Sequence, residues 1–390
     1  MRIGLDVRYL SHRLVGGVRN YVAQFTETLV HVASEHDIVL YADTKAPFEL
    51  QNLPNNVTVR LLPWHGPQSS VYYDLFLKKY MQQDHLDIVH FTGNYGFGPQ
   101  GSSCVITLHD EINLLPLREI IAGHKKTPRV IAMMTYLHFM TRAAVQQADL
   151  IITASEYSRQ QIIRYSGISP QRITVVHHAC PRDIQRIDDP AVLRDVRQRL
   201  NLNKPFVVAD AFKNPGVLIR AWQRLPQPIR DQHEIVFFSR SPDVLPIVHK
   251  AIRDGFARMF IRLPYSDLSA LYTMATVFVF PSWIEGFGIP LVEAMTCGTP
   301  IIASNRGSIP EVVDQAGYII DAEDDQALAH ALVELLTNPD AAETLRQRGF
   351  ARVKQFSWTQ NARRVIELYH SLLTARPSQP SVHLPKEGSL

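Results

Sequence analysis

Two glutamates, Glu285 and Glu293, stand with seven residues between them in the segment FVFPSWIEGFGIPLVEAMTCGTPIIASNRGSIPE. A carboxylate can accept hydrogen bonds from two neighbouring hydroxyls, as a sugar or a ribose offers. The residues around the pair indicate how it is presented. Val277 to Phe280 is a short apolar run suited to a buried strand of a parallel sheet, and Pro281 ends it. Gly286 and Gly288 carry no side chain to keep a ligand from the backbone, and Pro290 suits the first turn of a helix. The free N–H groups of that turn, with the positive end of the helix dipole, form an anion site at the carboxyl edge of a sheet. Taken singly, either glutamate is equally well explained as complementing the dipole or solvating a loop.

Two further groups sit at comparable positions. His109 and Asp110 directly follow the strand-like run VIT, at the edge where ligands of such sheets bind; a lone histidine there is more commonly structural. Gly16 and Gly17 follow a strand (Ile3 to Val7) and open a helix with apolar residues at helical spacing. That is a phosphate-cradle arrangement, though a glycine pair by itself is more often a turn.

The long string from Phe278 to Glu311 resembles the signature of retaining glycosyltransferases of family 4. The resemblance implies that Glu285 and the backbone of Phe287, Gly288 and Ile289 hold the donor sugar, and that Glu293 binds the ribose of a nucleotide. TLHDEINLLP is similar to the family's "HD" segment, which places His109 beside the donor sugar as a polar contact. Gly16 and Gly17 match a glycine-rich loop that approaches the donor diphosphate or the acceptor. Lys213 and Asn214 match a lysine and its neighbour that family members usually carry just before a helix whose amino end faces the diphosphate. There the chain departs from the pattern: it is about four residues short, and Phe212 stands where a basic residue is common. Arg240, after the run IVFFS, is a candidate to supply the missing charge from another loop.

Composition is ordinary for a globular enzyme: 390 residues, 46% hydrophobic, 20% charged, formal net charge +3. So small an excess does not argue for nucleic acid, while an anionic substrate or a membrane surface stays compatible with it. Cys104, Cys180 and Cys297 lie far apart without a CxxC, which reads as buried free thiols. MRIGLDVRYLSHR lacks the apolar core of a signal peptide, and no run reaches the ~18 apolar residues of a membrane span. The expectation is a cytoplasmic protein, free or peripheral at the inner face of a membrane. The apolar stretch Val130 to Val145, flanked by Lys125, Lys126 and Arg129, suits either an interfacial patch or core, with core favoured.

Strand-like runs alternate with helical stretches throughout, which argues for parallel doubly wound sheets. Periodicity breaks at HHACPRDIQRIDDP, so a hinge is expected near residues 180–188. The resulting expectation is an α/β chain of GT-B type, with two Rossmann-like domains and a cleft between them. Residues 1–182 form the acceptor side and 183–356 the nucleotide-sugar side. A helix over 357–375 crosses back to the first domain, and 376–390 form a disordered tail. Gly93 to Gly98 is expected to be a plain turn, with Tyr95 and Phe97 as alternative sugar-stacking rings.

The resemblance implies a retaining, metal-independent hexosyltransferase with no cofactor. Its donor would be a nucleotide diphosphate sugar, with GDP-mannose favoured over UDP-glucose. Its acceptor would be a hydroxyl of a glycan or lipid-linked glycan in polysaccharide or glycolipid assembly. The alternatives are a noncatalytic nucleotide-sugar-binding regulatory partner, or a GT-B enzyme of epimerase or phosphorylase type.

Overall fold

The computed structural model describes residues 1–11, 17–48, 50, 52–122 and 126–375. Gly16, Lys125 and the 376–390 segment therefore lie outside the described residues. The first unit runs β1 (Arg2–Asp6), α1 (Gly17–Val32), β2 (Asp37–Asp43), β3 (Val57–Leu62), α2 (Pro67–Gln82), β4 (Ile88–Phe91) and β5 (Ser103–Thr107). It continues with α3 (Leu117–Ala122), α4 (Pro128–Gln147), β6 (Leu150–Thr153), α5 (Glu156–Ser166) and β7 (Ile173–Val175).

The second unit runs α6 (Pro190–Arg199), β8 (Phe206–Asp210), α7 (Pro215–Arg224), α8 (Gln227–Gln232), β9 (Glu234–Ser239), α9 (Pro246–Arg253), β10 (Ala257–Ile261) and α10 (Tyr265–Met274). β11 (Val277–Phe280), α11 (Ile289–Cys297), β12 (Ile301–Ser304), α12 (Ile309–Val313) and β13 (Gly317–Ile320) complete its sheet. α13 (Asp325–Thr337), α14 (Pro339–Val353) and α15 (Trp358–Ala375) follow.

The sheets are ordered β3-β2-β1-β4-β5-β6-β7 and β10-β9-β8-β11-β12-β13, and every strand pair is parallel. Strand order reverses between β1 and β4 and again between β8 and β11. Loops diverge at such points and leave a crevice beyond the carboxyl ends of the strands. The central strands are buried along their whole length, as β11 shows with Val277, Phe278, Val279 and Phe280 all at 0% exposure. That is the cause of their unbroken apolar runs.

α15 returns to the first unit. The Tyr369 hydroxyl meets His90 Nδ1 at 2.6 Å in the interior, and Trp358 Nε1 donates to the Cys180 carbonyl at 2.8 Å. One apolar cluster therefore joins Leu5, Tyr21 and Phe25 with Phe280, Phe287, Trp358 and Tyr369.

Three local expectations change. The run Met259 to Leu263 reads as a strand, but the edge strand β10 begins two residues earlier, because Ala257 pairs with Ile235, and it stops where Arg262 adopts a left-handed φ of 56°. Cys180 is half-buried, unlike Cys104 and Cys297. The third concerns α4, whose core-facing residues, His138, Met140, Thr141, Ala144 and Val145, all fall in its second half. Met133 is 48% exposed and no residue from 128 to 137 is buried, so the first half is not core.

Candidate active site

A cavity of about 420 Å³ opens where the carboxyl ends of the two sheets face each other. It gathers the described residues singled out from the sequence. Gly17 and His109 line it from the first unit, and Lys213, Arg240, Glu285 and Glu293 from the second. The backbone at Phe287, Gly288 and Ile289 forms part of the same wall.

The glutamate loop is shaped by its glycines. Gly288 caps α11 at a φ of 92°, and Pro290 fills the first turn, so the free amides of α11 start inside the cavity. Gly286 is held against the first unit: a Cβ there would lie 2.2 Å from the His109 carbonyl oxygen. Its own carbonyl accepts from Ser155 Oγ at 2.7 Å and Ser158 Oγ at 3.2 Å. From behind, the Glu285 carbonyl accepts from the Ser308 amide at 3.1 Å and from its hydroxyl at 3.0 Å.

Glu285 Oε1 lies 2.6 Å from Lys213 Nζ and accepts from Ser282 Oγ at 2.7 Å. Lys213 reaches it from a tight turn directly after β8. Asp210 Oδ1 accepts from the Phe212 amide at 2.8 Å, and the Lys213 amide donates to the Asp210 carbonyl at 3.2 Å. Asn214, left-handed at φ 52°, pins the turn by donating to the carbonyls of Pro281 and Ala322. Phe212 is left 48% exposed at the rim.

Glu293 is buried, with one oxygen accepting from the Tyr272 hydroxyl at 3.1 Å. Burial lifts its carboxyl to about 7, opposed by that hydrogen bond and by Arg240 and reinforced by Asp210. A carboxylate so poised gains from any ligand hydroxyls that replace its lost water. Arg240 is thereby placed in electrostatic reach of both Glu293 and Asp210.

His109 donates from Nε2 to the Thr92 carbonyl at 3.0 Å, because a carbonyl only accepts; Nδ1 is then the acceptor of the neutral ring. Burial lowers its pKa to about 4. At neutral pH the ring is a polar contact and not an acid. Asp110 beside it is raised by burial and by Glu285.

Several lining residues were not anticipated. Asp210 shapes the lysine turn from the end of β8, a position that could have flagged it. Asn20, on α1, donates to the Tyr265 hydroxyl of the other unit at 2.8 Å. His178 is buried with Nδ1 lacking a hydrogen-bond partner; it packs on Tyr21 and Trp358, and burial holds its pKa well below the usual range. Tyr95 does not line the cavity, its hydroxyl donating instead to Asp74 at 2.9 Å.

Two parallel-sheet domains with a crevice of this make-up define a GT-B protein. Residues 15–183 match the family described as Glycosyltransferase Family 4, and residues 208–352 match Glycosyl transferases group 1; the chain belongs to these glycosyltransferases. It is 33% identical over 300 residues to the O-antigen chain mannosyltransferase B of Escherichia coli, across 74% of this chain and 76% of the relative. Among solved structures it resembles sucrose-phosphate synthase from Thermosynechococcus elongatus, with a TM-score of 0.72 at 20% identity over 96% of this chain and 100% of the other. It also resembles Anabaena Alr3699/HepE in complex with UDP-glucose, with a TM-score of 0.67 at 17% identity over 95% of this chain and 100% of that one.

Proposed function

We propose that the chain is a retaining hexosyltransferase that moves mannose from GDP-mannose to a glycan hydroxyl in surface-polysaccharide assembly. The observation that carries this reading is the meeting of Glu285, Glu293 and the α11 amides in one crevice between the domains. The similarity to an O-antigen mannosyltransferase supports the choice of sugar.

In this reading Glu293 receives the ribose hydroxyls. Glu285, His109 Nδ1 and the amides of Phe287, Gly288 and Ile289 orient the hexose. Lys213, Arg240, the α11 amides and the backbone at Gly17 face the diphosphate, with no metal in that role and no further cofactor. The anomeric carbon exchanges its bond to the phosphate oxygen for one to the acceptor oxygen on the same face, and the acceptor proton passes to the leaving diphosphate. Catalysis is then positioning together with stabilisation of charge on the departing group.

Melting-temperature shifts across a panel of nucleotide sugars test the donor, since selective binding stabilises the folded state. The reading expects the largest shift with GDP-mannose, transfer that persists in EDTA, and an axial anomeric product by NMR. An inverted product or a shift confined to UDP-sugars would refute it.

One observation favours a second reading, a noncatalytic nucleotide-sugar-binding partner: Phe212 stands exposed where a cation would assist the leaving group. Turnover of donor that disappears in Glu285→Ala excludes that alternative.

A further inference from the structure

The first domain carries an apolar surface outside the lining of the crevice. α2 buries Ser69, Tyr73, Leu77 and Met81 at i, i+4 spacing, yet its outer face is apolar too. Val71, Tyr72, Leu75, Phe76 and Tyr80 are 36% to 45% exposed. A helix that is apolar on both sides suits apolar surroundings on both sides, and only one of them is protein here.

α4 extends the surface. Asp74 on α2 accepts from the Tyr136 hydroxyl at 2.8 Å, which seats the first half of α4 beside α2. Met133 stands out from that half, and Phe139 from the start of the second.

Charge on these helices is one-sided. Lys78, Lys79, Arg118, Arg129 and Arg142 are all exposed, as is Lys126 just before α4. On α2, α3 and α4 the acidic residues are Asp74, paired with Arg8 at 3.1 Å, and Glu119, near Arg118 at 4.0 Å. Lys79 lies over the Phe76 ring at 4.9 Å, an ammonium kept at the border of an apolar patch. Apolar and aromatic side chains edged by cations complement an anionic lipid surface. No helix among the described residues is long and apolar enough to cross a membrane, so such a contact is peripheral. Both helices begin at the carboxyl edge of the first sheet, the edge from which Gly17 and His109 line the crevice.

We propose that the outer faces of α2 and of α4 as far as Phe139 dock the enzyme on an anionic bilayer, with the crevice mouth turned toward the lipid. This goes beyond the transfer reaction, and its test uses neither donor nor acceptor, so each can fail without the other. The full chain is sedimented with vesicles of phosphatidylcholine alone or mixed with phosphatidylglycerol. Binding is expected to the mixed vesicles only and to weaken with salt. Val71→Asp/Leu75→Asp and Lys78→Glu/Lys79→Glu should each reduce it at least about tenfold with unchanged melting temperature. Arg363→Glu/Arg364→Glu, exposed on α15, should change it by less than about twofold, being remote from the patch. Three results overturn the proposal. They are no binding to mixed vesicles, binding undiminished in both patch variants, or a dimer in light scattering that Val71→Asp/Leu75→Asp dissolves.

Discussion

Lys213 Nζ and Glu285 Oε1 lie 2.6 Å apart across the candidate donor site. Each offsets the other's charge, so on the proposed reading an entering diphosphate must share the lysine and an entering sugar the glutamate. Lys213→Ala would strip the charge facing the leaving group and leave Glu285 without its partner. Transfer should fall on the order of 10²-fold. The double variant with Glu285→Ala should lose much less than the product of the single losses, because the two act as a unit. A double-mutant cycle on initial rates reads this coupling.

Glu293 ties donor binding to pH. Its folded pKa of about 7 means that acid protonates the carboxylate proposed to accept from the ribose hydroxyls. Nucleotide-sugar affinity should therefore decline below pH 7, by up to about tenfold per pH unit, and Glu293→Gln should flatten that profile. Titration calorimetry at a series of pH values checks it.

The same carboxyl costs stability. Its folded pKa lies above the ordinary value of 4.5, so its contribution is most favourable below the unfolded pKa and is lost as pH rises toward 7. Glu293→Gln should bind donor poorly yet stabilise the fold at pH 8 by up to about 3 kcal/mol. Denaturant unfolding at pH 5 and pH 8 separates the two, with little difference expected at the lower pH.

Glu311 fastens one domain to the other. Its carboxylate accepts from the Glu156 and Tyr157 amides at 2.9 and 3.1 Å, the free N–H groups that open α5, and meets His177 Nε2 at 3.1 Å. Burial works to raise its pKa, but the His177 bond and the two amides leave it lowered. This clasp is present above the ordinary carboxyl range and is lost as pH falls through the lowered value. Glu311→Ala should cost roughly 1–3 kcal/mol and speed hydrogen exchange at Glu156 and Tyr157.

Phe212 offers a gain-of-function test. Phe212→Arg places a cation at the rim of the cavity beside Lys213 and should tighten nucleoside diphosphate binding by up to about fivefold, the worth of one screened ion pair. Competition by GDP and UDP against a bound nucleotide sugar measures it.

Much of the architecture was legible because its cause is local. Buried parallel strands must be apolar throughout, and Gly288 with Pro290 fixes where α11 starts, which brings Glu285 and Glu293 to one crevice. What escaped depends on partners remote in sequence. An apolar stripe does not say what covers it, so the first half of α4 read as core. Tyr95 sits in a glycine-rich loop like those of sugar sites, yet Asp74, twenty-one residues earlier, claims its hydroxyl. Neither Glu311 nor His178 has a local pattern; their roles exist only once the two sheets meet.

The grip of Ser155 and Ser158 on the Gly286 carbonyl has a mechanical corollary. Any motion that parts the two halves would tug on the peptide running directly into the amides proposed to hold the hexose. Letting go of spent nucleotide and dismantling the sugar's berth would then be a single stroke, and a halfway-open enzyme would be unable to hold an activated sugar within reach of water.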